Sequence, residues 1–524
     1  MSTTTIPTTR TSVLWRALTA ALVTAAAFDL LFWKQHIGVN LPLYSLLIAG
    51  ALLGRYGWHG LSAPARAALL ALAIVDVCVV VNNSVVSILA GFALLFVLSA
   101  LAHEPELRSL FYAVPRAFAN VFMAPIGAGG MLSEALSDRR LTRTGWRWFR
   151  LALIPVALLV LYFLIYRKAN PRFDELTSGM LGTISGWFDS IFSNILTPHA
   201  VFFLFALVVS AGLLFRFAAR WLVNHERQWS DVLLRVRTPR PHWMPALHMN
   251  ALERERQVGV ILLVLMNALL LVVNAIDIQW LWFGFEVPKD FSLKQFVHEG
   301  TWLLIISILL SMVILLRLFN GNQNFYWRSG SLRTLAVAWI VQNLVLGISV
   351  FLRNYHYIHF HGLAYKRIGV IVFLGMVMVG LVTLWSKIRH RRSLYHVLRV
   401  NAWAALAVLV GLSTVNWDML ITRYNLDHWN QGEIDVDNYL EMSDKVLPLL
   451  YAGQAKVEQQ IAKHMTNEVV WIERTSVAAF VPDLDTKRRM FLDRWARTGW
   501  QGWNHADVRT YAALQGMGLA TLQP

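Results

Sequence analysis

Charge-free apolar runs of nearly bilayer length recur along the chain, and they decide what it can fold into. Leu151–Tyr166, Val258–Ala275, Thr301–Leu316, Leu335–Leu352, Gly369–Trp385 and Val400–Trp417 contain no Asp, Glu, Lys or Arg. A helix needs about 20 mostly apolar residues to cross the hydrocarbon core, and the flanks of each run supply the remainder. Only lipid can cover so many apolar faces in succession, so a soluble fold is excluded. The pattern predicts an all-α, polytopic transmembrane helix bundle of about eleven spans. They fall near residues 13–33, 41–56, 67–81, 84–102, 151–166, 198–219, 258–282, 300–317, 333–353, 367–386 and 397–417. Asn82 and Asn83 mark a tight turn inside 67–102, which reads as two short spans or one broken one.

Charge bears on partners and orientation. The formal net charge of +16 accompanies only 15% charged residues. The basic residues sit in short loops, where they set topology. Nucleic acid is therefore not an expected partner; the lipid bilayer is. Arginines crowd alternate loops, with Arg55 and Arg66, then Arg108 to Arg150, then Arg220 to Arg256, then Lys387 to Arg392. The intervening loops are poorer in Lys and Arg. This bias predicts a cytoplasmic N-terminus and, with an odd span count, an extracytoplasmic C-terminus. The first apolar run lacks a small-residue cleavage site and reads as a retained helix. Cys78, the only cysteine, lies within a span and reads as a small hydrophobe.

Residues 1–417 form the expected transmembrane region. From Asp418 to Pro524 the composition becomes ordinary and mixed in charge, which predicts a small helical soluble domain. Three connections exceed simple turns, and the last of them, Arg220–Arg256, is the largest basic inner loop. Glu104–Trp146, with Pro115, Pro125 and Gly127–Gly130, suggests interfacial or re-entrant helices, and Arg172–Asn194 reads as an amphipathic segment on the opposite face.

Three stretches carry a resemblance. They are Phe28-Asp29-Leu30-Leu31-Phe32-Trp33 with Gly38 and Leu41-Pro42; His361-Gly362-Leu363-Ala364-Tyr365-Lys366-Arg367; and Asn416-Trp417-Asp418 through Arg423-Tyr424-Asn425-Leu426, Asp437-Asn438-Tyr439-Leu440 and Val446-Leu447-Pro448. Together they resemble an uncharacterised family of bacterial multi-pass membrane proteins known only as a domain of unknown function. The family's second stretch more often reads Tyr-Gly-Leu-Thr, so His361 and Ala364 depart from it. The resemblance implies a many-helix membrane region with a small soluble C-terminal part, and no reaction, substrate or cofactor.

Polar residues inside spans are the first functional clue. Asp29, Asp76, Asn267, Asn274, Asp277, Asn343 and Asn401 must face other helices or water, since a midplane charge costs about 2.5–3.5 kcal/mol on insertion scales. They serve either as a polar pathway, with Asp76 its best proton- or cation-coupling candidate, or as interhelical hydrogen-bond glue. His356, His359 and His361 have spacing that can hold a divalent metal. His361 falls off the shared helical face and no acid lies nearby, so interfacial histidines are the preferred reading. Arg353 and Arg367, around Gly362, run against the charge bias. Docking onto Asp418, Asp435 or Asp437 would hold them there, as would lipid phosphate. The Gly127–Gly130 cluster lacks the Lys-Ser/Thr ending of a phosphate loop. Neither Gly-x-Ser-x-Gly nor His-Glu-x-x-His occurs.

Three functional classes follow in order. A structural or regulatory envelope component comes first. A transporter comes second, since no inverted repeat is evident. A membrane-embedded transferase is third, because the first outer loop, Lys34–Asn40, holds no acid.

Overall fold

Short polar caps cut the apolar runs into discrete helices. The computed structural model describes residues 8–135, 197–217, 220–235, 248–283, 300–428, 438–465 and 477–521, with scattered positions between 152 and 177. Four long helices open the chain: α1 (Thr8–Phe32), α2 (Asn40–Gly60), α3 (Ala63–Asn82) and α4 (Val85–His103). Then come α5 (Leu110–Ala135), α6 (Pro198–Leu214) and the short α7 (Trp221–Arg227). A second set follows as α8 (His248–Asp277), α9 (Thr301–Leu318), α10 (Gly330–His361), α11 (Tyr365–His390) and α12 (Leu394–Ser413). The C-terminal part holds α13 (Trp417–Asp427), α14 (Asn438–Glu441), α15 (Leu447–Ala452), α16 (Gln454–Met465), α17 (Val477–Arg497) and α18 (His505–Gly516). Among the described residues the only strand-like pairing is an antiparallel bridge between Val232 and Arg392.

Eight described helices are long and apolar enough to cross a membrane: α1, α3, α4, α8 with its π-helical extension Ile278–Trp282, α9, α10, α11 and α12. α6 is apolar but shorter, and α2 carries Arg55 and His59 near its end. The expected span at 151–166 and the amphipathic segment after it lie largely outside the described residues.

The α3–α4 turn shows how local sequence sets the architecture. The Ser62 hydroxyl accepts from Ala65 N at the start of α3. At its end Asn83 takes the left-handed conformation, φ 43° and ψ 43°, and its N–H returns to the carbonyls of Cys78 and Val79. Ser84 then opens α4 in a capping box with Ser87. The stretch is therefore two helices, and Asn is one of the few residues that tolerates this turn. Asn83 Nδ2 also donates to Ile37 O at 2.9 Å. Asn83→Val should cost about 1–2 kcal/mol through backbone strain, plus that hydrogen bond. Asn83→Gly should lose only the bond. Thermal unfolding in detergent checks this, and an unchanged midpoint for the valine variant would contradict it.

Among the described residues the bundle has two large apolar cores. One joins α1–α4 and α6 through Phe28, Tyr44, Ile48, Leu72, Leu94 and Leu213. The other joins α8–α11 through Leu263, Ile308, Leu332, Trp339 and Leu381. α12 bridges them, packing on α11 and placing Trp403 and Leu406 against the first core. Outward faces remain apolar: Val258, Ile261, Leu265, Leu269 and Val272 of α8 are all exposed. In water such a surface would drive association, whereas in lipid it is matched. α5 turns Phe111, Phe118 and Phe122 outward at helical spacing while Arg116 and Asn120 are buried.

The helix ends sort onto two faces. His103, Leu213, Leu214 and Arg55 meet at one, where Leu233 N also bonds Arg391 O. The opposite face gathers Ile37, Asn83, Ser413 and Leu363, and the C-terminal helices cap it.

Candidate functional site

The C-terminal helices enclose their own core of Tyr439, Val446, Leu450, Val457, Phe480, Leu484, Phe491 and Leu514, and Ile368 of α11 belongs to it. That core is thus continuous with a membrane helix. Docking uses the connections between spans. In the α1–α2 connection Val39 N donates to Trp503 O at 2.9 Å. Beside it Gly38 lies so close to Gly502 and Trp503 that a Cβ would collide with their backbone carbonyls. Lys445, only 8% exposed, reaches the α3–α4 turn and donates to Asn83 O at 2.7 Å. Burial pushes the Lys445 ammonium below the usual lysine range. Asn82 Nδ2 donates to Thr414 O at 2.9 Å just before α13 begins.

The loop between α10 and α11 makes the third contact. Gly362, at φ 79°, permits the turn. Leu363 N donates to Asn425 Oδ1 at 2.6 Å, and Asn425 Nδ2 returns a bond to Leu363 O at 3.0 Å. Tyr365 donates to Asp418 Oδ1 at 2.5 Å, and Ser443 donates to the other oxygen. The expected contact of this loop's arginines with Asp418 is therefore made by neutral donors instead. Arg353 donates to Asp277 Oδ1 at 2.6 Å. Asp277 is 3% exposed and demands a countercharge more strongly than a solvated acid would. Arg367 donates to the carbonyls of His361 and Gly362 and lies over the Tyr357 ring. Asp435 and Asp437 lie outside the described residues.

Polar groups within the spans mostly meet each other. Asn267 donates to Leu335 O at 3.1 Å and accepts from Gln342 at 2.8 Å; Asn274 donates to Gln342 O at 3.0 Å. Asn343 bonds Trp339 O in its own helix. Asn401 donates to Thr383 at 2.8 Å. Asp29 accepts from His199 Nε2 at 2.8 Å, and Trp33 stacks on that imidazole. Asp76 is half-buried in α3, opposite the Ser45 hydroxyl of α2. Its Oδ1 is buried without a hydrogen-bond partner among the described residues. His361 packs on Tyr357 and Phe360, and His356 on Tyr355. Among the described residues no three His, Cys, Asp or Glu side chains gather to hold a metal ion, and His356, His359 and His361 form no such set.

Two features stand outside the sequence expectations. Glu104, completely buried beyond the end of α4, accepts from Arg116 at 2.8 Å and Arg220 at 3.2 Å and pairs with Arg216 at 3.6 Å. Glu106 binds Arg220 and Arg227 beside it. Burial would raise the Glu106 carboxyl, but those two guanidiniums hold it below its ordinary range. Glu226 links the same face to α12, accepting from Ser109 N at 2.8 Å and Tyr395 at 2.7 Å. The other feature is an open cleft of about 680 Å³ between His36 and α17, lined by Asp444, Asp483, Lys487 and Arg494. Its cations are engaged: Lys487 donates to Leu440 O, and Arg494 to Asp507 and Asp444.

The fold and these contacts define a multi-pass helical membrane protein with a helical C-terminal unit seated on one end of its bundle. The chain belongs to the family described as a domain of unknown function, DUF4153, whose pattern matches residues 65–453. That match takes in the Lys445–Asn83 and Leu363–Asn425 contacts of the joint, while Gly38, Val39, Gly502 and Trp503 lie outside it. No curated protein and no solved structure matches the chain.

Proposed function

We propose that the protein is a structural or regulatory component of a bacterial plasma membrane, acting through its docked C-terminal unit on the extracytoplasmic face. The joint carries this reading. Lys445 enters the α3–α4 turn, Gly38 lies against Gly502, and Asn425 closes on Leu363. A unit held at three separate connections can sense or restrain the packing of the spans beneath it. The pairing of Asn267 with Gln342 and of Asp277 with Arg353 supports glue over pathway in the second bundle.

One observation favours a second reading. The unpartnered Asp76 oxygen is what a proton- or cation-coupled transporter would keep within a span. The two readings separate in cells. Loss of the whole protein is expected to weaken the envelope, and Lys445→Glu, which places an acid against the Asn83 carbonyl, should weaken it equally with the chain still abundant in the membrane. Asp76→Asn should leave the envelope intact. Loss of function with Asp76→Asn, together with full function of Lys445→Glu, would replace the docking reading with transport.

A further inference from the structure

We infer that a groove between α1, α2 and α6, at the end of the bundle opposite the C-terminal unit, binds an anionic phospholipid, its phosphate on Arg16 and Arg55 and an acyl chain along Ala20, Val23 and Ala51. The groove encloses about 490 Å³. Arg16, Ala20 and Val23 form the α1 wall, Ala51 and Arg55 the α2 wall, and Phe215 closes the end below α6. Ala20 and Ala51 are exposed, so two small side chains leave open a channel that larger ones would fill.

Charge and polarity select the occupant. Both arginines lie toward the same end of the groove, and no acidic side chain is among the described residues lining it. Arg55 is already placed: Nη1 donates to Leu214 O at 3.2 Å, and the guanidinium lies over the Tyr56 and Phe215 rings. A guanidinium has five N–H donors, and that contact uses one. From Arg16 the groove follows α1 to Thr24, about 12 Å at helical rise, toward the middle of the spans. Its outer rim is lipid-facing, with Val23 64% exposed. A free phosphate would use only the charged end and leave the apolar walls empty. A phospholipid fills both, and basic pockets between membrane helices commonly take anionic headgroups.

The test is native mass spectrometry of the full-length protein in detergent, titrated with phosphatidylglycerol, with phosphatidylcholine of the same chains, and with inorganic phosphate. Phosphatidylglycerol should be retained in preference to phosphatidylcholine. Arg16→Gln with Arg55→Gln should weaken it about thirtyfold, the equivalent of about 1 kcal/mol for each arginine. Arg55 also holds Leu214, so a second variant guards against misfolding. Ala20→Phe with Ala51→Phe changes only exposed positions and should block retention by filling the channel, while Leu70→Phe on α3 should not. Equal retention of both lipids, or phosphatidylglycerol binding unaffected by the phenylalanines, would overturn the proposal. So would inorganic phosphate that displaces the lipid from wild-type protein at millimolar concentration and binds the phenylalanine variant equally well, which would mark the site as one for free phosphate.

Discussion

Glu104→Ala is expected to be the most damaging single substitution outside the apolar cores. Glu104 is fully buried and Arg116 is 2% exposed. Two donors of Arg116, Nε and Nη1, already lack partners among the described residues. Removing the carboxylate would strand a buried guanidinium, and breaking a buried pair in this way costs about 3–5 kcal/mol. Arg216 and Arg220 are part-exposed and can turn to water, so their loss adds little. The same reasoning gives a rescue. Glu104→Ala combined with Arg116→Met should recover most of the stability, because an apolar replacement removes both desolvated charges together. Thermal unfolding in detergent reads both variants. A double variant as unstable as Glu104→Ala alone would show that the pair does not act as a unit.

Arg353→Met should produce a comparable loss in the second bundle. It leaves Asp277 buried in α8 with no countercharge, again at a cost of about 3–5 kcal/mol. The consequence is local. α8 and α10 meet at their ends through this pair and through Trp282 donating to Ser349 at 3.1 Å. Hydrogen exchange should therefore rise at Asn274–Trp282 before it rises at the α3–α4 turn. Combining Arg353→Met with Asp277→Leu should restore protection. Uniform exchange across both bundles in Arg353→Met would contradict this assignment.

These two pairs show where sequence reading reaches its limit. The spans are legible because apolarity over about 20 residues is a property of each segment alone. The α3–α4 turn is legible for the same reason, since Asn83 and Ser84 act on their immediate neighbours. Partner choice is not local. Arg353 reads as an outer-loop cation because its charge opposes the topology bias, yet its acid lies 76 residues earlier on a neighbouring helix. Lys445 reaches a carbonyl 362 residues away, and an ordinary lysine before Val446-Leu447-Pro448 gives no sign of it. Glu104 did leave a signal: it stands with Glu106 among many arginines, and an acid in so basic a connection has an obvious partner class. α6 ends at Leu214, earlier than its apolar run suggests. There Phe215 turns extended, and Asn120 of α5 takes the carbonyls of Gly212 and Phe215.

The joint between bundle and C-terminal unit requires that unit to face away from the arginine-rich end. Single cysteines at exposed Ser230, near the arginine-rich connections, and at exposed Gln515, in α18, test this in a Cys78→Ala background. Intact cells are treated with a membrane-impermeant maleimide, and then again after permeabilisation. Gln515→Cys should label in intact cells and Ser230→Cys only after permeabilisation. Labelling of both before permeabilisation, or of Ser230→Cys alone, would contradict the placement of the C-terminal unit on the extracytoplasmic face.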